Sequence, residues 1–465
     1  MSRLAADAGV AEIAAAVGSG RTNARSVLES ALDRIAAVNP YVNAFTDVLA
    51  DRARTAADRL DARRAKGEAL GPLAGVPFAV KNLIDVAGIA TRAGSKINRA
   101  HPAAKRDGAL VRRLEAAGGI LVGALNMGEY AYDFTGENAH DGPSRNPHDL
   151  NHMSGGSSGG SGSAIAAGLV PLALGSDTNG SIRVPSAFCG IFGLKPTFGR
   201  LSRAGSFPFV ASLDHLGPFA RSVADLAVAY DAMQGPDEDD PVAIARAPEP
   251  ALSTLESGIE GLRIARAGGH FARFGYPESF VAVDTVAAAL KVTKTIEIPE
   301  ATRARAAAYI ITAAEGGALH LDRLRTQAAD FDPAVRDRLI AGAAIPAPWL
   351  IRAHRFRSWY RKQVTALFAD VDIIIAPSTP CRAPEIGQQT FVLDGQTLPV
   401  RANIGIFTQP ISFIGLPVVA VPVWIDGGLP LGVQVIAAPW REDLALRVAR
   451  ALERSGVVRA PVAKF

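Results

Sequence analysis

The stretch MSGGSSGGSGSAIAAGLVPLALGSDTNGSIRVPSA, residues 153–187, carries two clusters of glycine and serine on either side of an apolar run. The first cluster passes directly into residues 164–170, whose apolar side chains predict a helix anchored in a core. The cluster then lies at a helix start, where backbone N–H groups are free, and not in a flexible linker. The second cluster follows residues 170–175, which predict a buried strand. A glycine-containing turn that leaves a sheet can direct several N–H groups to one point, as oxyanion binding requires.

Two other glycine-rich motifs are alternative interpretations of this stretch. A phosphate-binding loop carries a lysine that reaches the phosphates, and residues 153–187 contain no lysine. Residues 155–159 match the G-x-S-x-G elbow of α/β-hydrolases, which would make Ser157 the nucleophile of an esterase with a histidine base. An elbow follows a strand, whereas the residues before this one are polar and interrupted by Pro147. We keep the esterase as the alternative from another enzyme class.

Apolar runs bounded by glycine and proline alternate with amphipathic segments along the rest of the chain. Helices are predicted at residues 24–38, 51–66 and 108–117, and buried strands at residues 76–80, 119–125, 369–380 and 416–425. Residues 138–153 are polar and predict a loop. Strands that alternate with helices indicate an α/β sheet covered by helices on both faces.

Composition limits the classes of function that remain. The chain of 465 residues is 48% hydrophobic and 20% charged, as expected of a soluble globular protein. Its net charge of +4 comes from scattered lysines and arginines, so we expect no nucleic-acid partner. The two cysteines, Cys189 and Cys381, cannot form a disulfide framework or a cysteine-based metal site. No apolar stretch is long enough for a membrane helix, and we expect a cytoplasmic protein without membrane attachment.

Ser181 lies at the centre of the second cluster and is the candidate nucleophile. A serine hydroxyl is unreactive without a base, and the base need not be a histidine. Lys81 follows the apolar residues 76–80, with no acid before Asp85, so desolvation would lower its pKa toward neutrality. The structural alternative is that the long side chain of Lys81 only carries its ammonium to water.

Three motifs together resemble the amidase signature family, the Ser–cisSer–Lys amide hydrolases. They are GVPFAVK at residues 75–81, GGSSGGS at 155–161 and GSDTNGSIR at 175–183. The resemblance continues through GLKPT at 193–197, SLD at 212–214, APSTP at 376–380 and GLP at 415–417. It implies a single α/β/α domain over residues 1–465, with a central mixed sheet covered on both faces and N-terminal helices at about 1–66 packed on the core.

The resemblance assigns roles to the three candidate catalytic residues. It makes Ser181 the nucleophile and Lys81 the base, with Ser157 relaying the proton between them and held by a cis peptide after Gly156. The tetrahedral oxyanion would be bound by the backbone N–H groups of Thr178, Asn179, Gly180 and Ser181. Water would then hydrolyse the acyl-enzyme by the same route. This chemistry requires neither a metal ion nor an organic cofactor.

Three further residues are expected to have structural roles. We expect Asp177 and Arg183 to form an ion pair that fixes the loop around Ser181, and Ser158 to support the first cluster. Asn179 departs from the glycine that is commoner at this family position. An L-residue is acceptable there with negative φ or in the left-handed region that asparagine tolerates, and it narrows the pocket.

The substrate is predicted less directly. Family members line the acyl pocket at the positions of Tyr130 and Ala131. Arg401 and Arg357 could form a fork for a carboxylate, although a surface role is an ordinary explanation for either arginine. Glutamine-using members carry an acid in the stretch that here reads RANIG, residues 401–405, which lacks one. A fatty-amide substrate is disfavoured because the chain shows no membrane-binding apolar segment.

Asn179 and the stretch TQPISFIGLP, residues 408–417, are most similar to the 1-carboxybiuret hydrolases of cyanuric acid breakdown. This similarity implies a small carboxylated urea as substrate, an oligomeric enzyme and a small helical companion subunit. The alternatives within the family are another small-molecule amidase and a glutamine amidotransferase subunit.

Overall fold

The computed structural model describes residues 7–465. The strands are β1 (Phe45–Val48), β2 (Pro77–Lys81), β3 (Ile120–Leu125), β4 (Arg145–Asn146), β5 (Asp149–Met153), β6 (Leu172–Asp177), β7 (Phe192–Lys195), β8 (His215–Ala220), β9 (Ile264–Ala267), β10 (Thr295–Ile296), β11 (Ile373–Pro377), β12 (Thr390–Leu393), β13 (Gln396–Pro399), β14 (Val418–Val423) and β15 (Leu431–Ala437). The helices are α1 (Val10–Gly18), α2 (Ala24–Val42), α3 (Ala50–Ala65), α4 (Lys96–Arg99), α5 (Ala109–Ala116), α6 (Gly159–Ala166), α7 (Arg183–Cys189), α8 (Val223–Met233), α9 (Pro277–Ala289), α10 (Ala301–Leu319), α11 (Leu321–Gln327), α12 (Pro333–Ala343), α13 (Ala347–Leu367), α14 (Val400–Asn403), α15 (Gln409–Ser412) and α16 (Glu442–Arg454).

The core is a mixed sheet of 11 strands in the order β1-β3-β2-β6-β8-β7-β14-β15-β11-β9-β10. Strand β2 is parallel to both neighbours, β3 and β6, whereas the strands from β6 to β11 pair antiparallel. Every residue of β2, β3, β6 and β14 is buried, which explains why these strands read as continuous apolar runs. The predicted strands are confirmed at these positions.

Helices cover both faces of the sheet. Helices α6 and α7 pack on each other and on β6, β14 and β15, while α8 and α16 form a second layer over β8, β14 and β15. The fold is the single α/β domain with a central mixed sheet that the sequence predicts. Near the start of the chain, α1 contacts α8. Helices α2 and α3 contact each other, and they also contact β2 and β3, respectively.

Two local predictions are wrong. Helix α2, predicted at residues 24–38, does not end before Asn39 and Pro40 but continues to Val42, which is fully buried. The helix ends where Asn43 takes the left-handed conformation and donates its N–H to the Asn39 carbonyl at 2.8 Å. In addition, the polar segment 138–153 contains the hairpin β4–β5 and is not only loop.

The sheet topology explains how distant motifs come together. Because β2 and β6 are parallel neighbours, their carboxyl ends, Lys81 and Asp177, lie at the same edge of the sheet. Helix α6 starts two residues after Ser157, above the same edge. In residues 7–465, no helix combines the length and the apolarity needed to span a membrane.

Candidate active site

Lys81 is fully buried and surrounded by serine hydroxyls. Its Nζ lies 2.7, 2.9 and 2.8 Å from the Oγ atoms of Ser157, Ser158 and Ser176. The Gly156–Ser157 peptide is cis, as the family resemblance implies. The sequence did not single out Ser176, although its position one residue before the end of β6, beside the end of β2, was an available signal.

The hydrogen bonds around Lys81 fit a neutral amine. Ser158 Oγ donates its own hydrogen to the carbonyl oxygen of Ser176 at 3.1 Å, so it accepts from Lys81. A neutral amine has two N–H donors, enough for Ser158 and Ser176, and its lone pair can then face the hydroxyl of Ser157. This arrangement can take the proton from Ser157.

Burial also favours the neutral form of this lysine. Desolvation lowers the pKa of Lys81 to about 7, although the negative charges of Asp177, Asp214 and Asp133 oppose the shift. The structural alternative, an ammonium that reaches water, is contradicted because the side chain is 0% exposed. A large neutral fraction is therefore present slightly above pH 7.

Residues 177–183, the nucleophile loop, join β6 to α7. Ser181 is 2% exposed and lies at the tip of this loop. Within residues 7–465, the backbone N–H groups of Thr178, Asn179, Gly180 and Ser181 make no hydrogen bond. Gly180 has φ +145°, and a Cβ atom there would lie 2.2 Å from Thr408 Oγ1, so only glycine fits. Four unused N–H groups beside a serine can bind an oxyanion.

The loop is fixed from behind by the expected ion pair. Arg183 donates to both carboxylate oxygens of Asp177, at 3.0 and 2.9 Å, and both side chains are fully buried. Arg183 also donates to Ser412 and, at 2.6 Å, to Gln434 Oε1. Burial alone would raise the pKa of Asp177, but the charge and hydrogen bonds of Arg183 hold it below its usual range.

A narrow cleft opens onto Ser181 between the nucleophile loop and helices α10 and α12. Its wall includes Asn179 from the loop, Tyr309 and Thr312 from α10, and Arg338 from α12. Arg338 donates to the carbonyl oxygen of Tyr132 at 2.8 Å and pairs with no carboxylate in the described part of the chain. Tyr309, Thr312 and Arg338 were not predicted as site residues, because no local sequence pattern marks a helix that folds back over a site more than 120 residues away.

Asn179 presents an unused acceptor to the same cleft. Its Nδ2 donates to Thr312 Oγ1 at 2.9 Å, and its buried Oδ1 has no partner among residues 7–465. Asn179 is outside the positive-φ region, which satisfies the backbone condition for an L-residue at this position. The wall also contains the Asp133 carboxylate, which accepts from Arg401, and the Gln409 amide, whose oxygen accepts from Arg305, so the unused groups we identify for a substrate are Asn179 Oδ1 and the Arg338 guanidinium.

The predicted carboxylate fork is wrong. Arg357 is buried against the carbonyl oxygens of Phe413 and Ser212, at 2.6 and 2.7 Å, and burial lowers its pKa to about 10. Arg401 donates instead to Asp133 and Glu137. Each arginine is held by different partners, and neither lines the cleft.

The two positions predicted to line the acyl pocket differ. Ala131 lines the cleft, whereas Tyr130 is buried behind it and contacts Asn98 and Arg323 through its hydroxyl. Both residues have positive φ, 49° for Tyr130 and 61° for Ala131.

The esterase alternative does not fit this geometry. Strand β5, which precedes Gly155, belongs to a separate two-stranded hairpin and not to the central sheet. Ser157 Oγ contacts a lysine, and no histidine in the described residues is hydrogen-bonded to it. No group of three or more His, Cys, Asp or Glu side chains suited to a metal ion occurs within residues 7–465.

Comparison with known proteins gives the class. The family model described as Amidase matches residues 26–446, and the chain belongs to the amidase signature family. It is an amidohydrolase, an enzyme that hydrolyses C–N bonds. The chain is 55% identical over 450 residues to AtzE, the 1-carboxybiuret hydrolase subunit of Pseudomonas sp. strain ADP, covering 96% of this chain and 98% of that protein.

Two further relatives mark the range of similarity. A solved structure of an s-triazine catabolic enzyme, described as part of a vestigial protein complex, superposes with a TM-score of 0.97 at 54% identity. The match covers 98% of this chain and 100% of that one. A glutamyl-tRNA(Gln) amidotransferase subunit from Symbiobacterium thermophilum is 37% identical, over 94% of each protein.

Proposed function

We propose that this amidohydrolase cleaves the terminal amide of a small carboxylated urea, with 1-carboxybiuret as the first candidate. The observation that carries the proposal is a buried lysine hydrogen-bonded to three serine hydroxyls, together with a serine whose loop offers four unused backbone N–H groups. The substrate class is supported by the 55% identity to the Pseudomonas enzyme and by the polar groups of the cleft.

In the first half-reaction, neutral Lys81 takes the proton of Ser157, and Ser157 takes that of Ser181. Ser181 Oγ attacks the carbonyl carbon, and the oxyanion receives hydrogen bonds from the N–H groups of residues 178–181. Within residues 7–465 the two hydroxyls share no hydrogen bond, so this transfer requires them to come within hydrogen-bond reach, directly or through one water, when substrate binds.

In the second half-reaction the relay runs in reverse. Ser157 returns its proton to the leaving nitrogen as the C–N bond breaks, and ammonia departs. Water then gives a proton to the same relay and attacks the acyl-enzyme, which releases the carboxylate product and restores Ser181.

The cleft fits an anionic urea better than a neutral hydrocarbon amide. Arg338 has guanidinium N–H groups that no carboxylate uses, and a fork of this kind binds a carboxylate. Asn179 Oδ1 can accept from a urea N–H, a donor that a methylene group at the same position lacks. We assign the carboxylate contact to Arg338 in place of Arg357 and Arg401.

We also propose that the enzyme works as an oligomer with a small helical companion subunit. The description of the related s-triazine enzyme as part of a protein complex supports this assembly. A glutamine amidotransferase subunit is the second candidate, favoured by the 37% identity to such a protein and disfavoured by the absence of an acid in residues 401–405.

The experiment is a substrate panel of 1-carboxybiuret, biuret, allophanate, malonamide and glutamine, assayed with and without a candidate companion subunit. We expect the highest kcat/KM for 1-carboxybiuret and no turnover by Ser181→Ala. A preference for glutamine would replace the proposal by the amidotransferase.

The nucleophile is tested separately by fluorophosphonate labelling and peptide mapping. We expect the label on Ser181. A label on Ser157 with Ser181 unmodified would reject the assigned mechanism.

A further inference from the structure

Asp133 is a carboxylate in the cleft wall that the proposed relay does not use. Its side chain is fully buried and lines the same cleft as Ser181. It also packs against Gly128 and Gly156, where a Cβ atom on either glycine would overlap it. Both glycines hold Ser157, because Gly156 precedes it and the N–H of Gly128 donates to its carbonyl oxygen at 3.1 Å. Asp133 therefore borders both the cleft and the peptide of the relay serine.

The carboxylate of Asp133 has partners, but one acceptor position remains. Oδ1 accepts from Thr135 Oγ1 at 2.8 Å and from Arg401 Nη1. Oδ2 accepts from the N–H of Gly136 at 2.6 Å and from no other donor in the described residues. A carboxylate has about four acceptor positions, so one is unused on Oδ2. Oδ2 is also the atom nearest to the Cβ position of Gly156, on the side of the relay serine.

A scissile amide brings the matching donor to this place. The leaving nitrogen must face Ser157, because Ser157 supplies its proton. A carboxylate beside Ser157 can accept a hydrogen bond from an N–H of that nitrogen, and the bond strengthens as the nitrogen gains a proton and positive charge. The leaving oxygen of an ester has no hydrogen to donate, and it would face the lone pairs of the carboxylate.

The charge of Asp133 also orients an anionic substrate. Arg401 is shared between Asp133 and Glu137, so this cluster of one cation and two anions keeps one negative charge. Arg338 lines the same cleft and forms no ion pair with Asp133 in the described residues. A substrate carboxylate is attracted by Arg338 and repelled by Asp133, so the charged end and the NH₂ end are kept apart.

We infer that Asp133 is a specificity-determining residue: its Oδ2 accepts a hydrogen bond from the scissile NH₂ group, which selects amides and ureas over esters and places the anionic end of the substrate at Arg338. This inference rests on the proposed relay. Asp133 exchanges no proton in the reaction. The C–N bond breaks, and the nitrogen leaves as ammonia with the proton from Ser157.

The test compares two substrates that form the same acyl-enzyme, succinamate and monomethyl succinate. Released ammonia and methanol are measured for the wild-type enzyme, Asp133→Asn and Glu137→Gln. Glu137→Gln is the matched control, because it removes the other carboxylate that accepts from Arg401, at 3.0 Å, from outside the cleft. Rates are measured well above pH 7, where Lys81 is neutral, because Asp133 is one of the charges that raise the pKa of Lys81. Melting temperatures show which variants fold.

We expect Asp133→Asn to lose at least tenfold in kcat/KM on succinamate, as for a hydrogen bond to a charged group, and less than threefold on the ester. Glu137→Gln should lose less than threefold on both substrates, as for a partly exposed ion pair. If Asp133→Asn does not fold, the wild-type enzyme decides alone. It should have the higher kcat/KM on the amide, although hydroxide attacks the ester faster.

Equal losses on amide and ester in Asp133→Asn would show that this residue only supports Ser157. That result, or a wild-type preference for the ester, would overturn the inference and leave the proposed function in place. The expected losses without turnover of any urea would confirm the role of Asp133 and reject only the proposed substrate. A wild-type enzyme that is inactive on the pair and on the urea panel would reject the proposed function and the inference together.

Discussion

Two sets of polar side chains near the nucleophile loop contain the same three chemical groups. The cleft set consists of Lys81, Arg338 and Asn179. The rear set consists of Lys195, Arg183 and Gln434. Each set therefore has one amine, one guanidinium and one amide. Arg338 and Asn179 line the cleft that contains Ser181 and Lys81 contacts Ser157, whereas no member of the rear set lines that cleft.

The two sets differ in what their hydrogen bonds leave unused. In the rear set, Gln434 uses both ends, accepting from Arg183 at 2.6 Å and donating to the carbonyl oxygen of Pro377 at 2.9 Å. In the cleft set, Asn179 Oδ1 has no partner in the described chain. A polar group whose capacity is filled holds the fold, whereas one with unused capacity is available to a substrate.

The lysines make the sharpest contrast. Burial lowers the pKa of Lys195 to about 7, as it does for Lys81, with the charge of Arg183 adding to the effect. Lys195, however, contacts the carbonyl oxygen of Pro196 at 3.0 Å, and a carbonyl has no proton to give. A neutral amine can act as a base only on a neighbour that has a proton to give, such as the hydroxyl of Ser157.

The largest effect is expected from exchanging each lysine for methionine. Lys81→Met should lower kcat by at least 10³-fold, within the roughly 10²–10⁴ range of general-base catalysis. Lys81→Arg should fall equally, because an arginine stays protonated. Lys195→Met should retain activity within tenfold, and activity is measured as initial rates on the preferred urea at saturating concentration.

A melting curve for each lysine variant separates lost chemistry from lost structure. Full activity in Lys81→Arg would contradict the role of Lys81 as the base. Equal losses of kcat in Lys81→Met and Lys195→Met, at equal stability, would show that the two lysines do not differ in function.

Substitution of Arg338 and of Arg183 should affect different properties of the enzyme. Arg338→Met should raise KM for a carboxylated substrate about 10- to 150-fold, as expected from a charged hydrogen bond that contributes about 1.5–3 kcal/mol. Its KM for neutral malonamide should change much less. Arg183→Met should instead lower stability by about 3–5 kcal/mol, because it leaves the Asp177 carboxylate buried without its partner.

Steady-state kinetics on both substrates and urea denaturation of both variants give the comparison. An Arg338→Met enzyme with unchanged KM for the carboxylated substrate would remove this arginine from the substrate site.

The pH dependence should come from the cleft lysine alone. A base must be neutral to act, so kcat/KM should fall about tenfold per pH unit below the pKa near 7 of Lys81 and level off above it. Since Lys195 has a similar pKa, the profile of Lys195→Met decides the assignment. The fall of kcat/KM below pH 7 should persist in Lys195→Met. If it disappears, the pH dependence comes from Lys195 and not from Lys81.

Local motifs mark two of the three candidate catalytic residues in the sequence. Lys81 stands at a strand end and Ser181 in a glycine-containing turn, and such positions follow from apolar periodicity and glycine placement, whereas the relay role of Ser157 comes from the resemblance to the amidase signature family. The parallel pairing of β2 and β6 then brings these ends to one edge of the sheet. The expected Asp177–Arg183 ion pair is present, and the two residues flank one short loop.

The cleft wall could not be predicted in the same way. Arg338 and Thr312 lie on amphipathic helices whose spacing only shows that one face is buried, not which loop that face meets. Arg401 and Arg357 looked equally suited to a carboxylate, but the fold pairs one with acids and the other with carbonyl oxygens. Partners far apart in sequence decide whether a cation is free.

The smallest expected effect tests the amide of the cleft set. Asn179→Ala removes the Oδ1 acceptor but keeps an L-residue in the loop, so the backbone N–H groups of the oxyanion site stay in place. It should lower kcat/KM about three- to tenfold for a urea that offers an N–H, within the range of one neutral hydrogen bond. Malonamide, with a methylene group at that position, should lose less than twofold.

Thr312→Val is the matched variant, because it removes the hydroxyl that accepts from Asn179 Nδ2 at 2.9 Å and leaves the acceptor itself. Without that contact the amide of Asn179 can rotate, so the preference for the urea should weaken but persist. If Asn179→Ala loses kcat/KM equally for the carboxylated urea and for malonamide, this residue shapes the loop and does not bind substrate. The unused oxygen of Asn179 would then not determine substrate specificity. The contrast between the cleft set and the rear set would hold only for the lysines and the arginines.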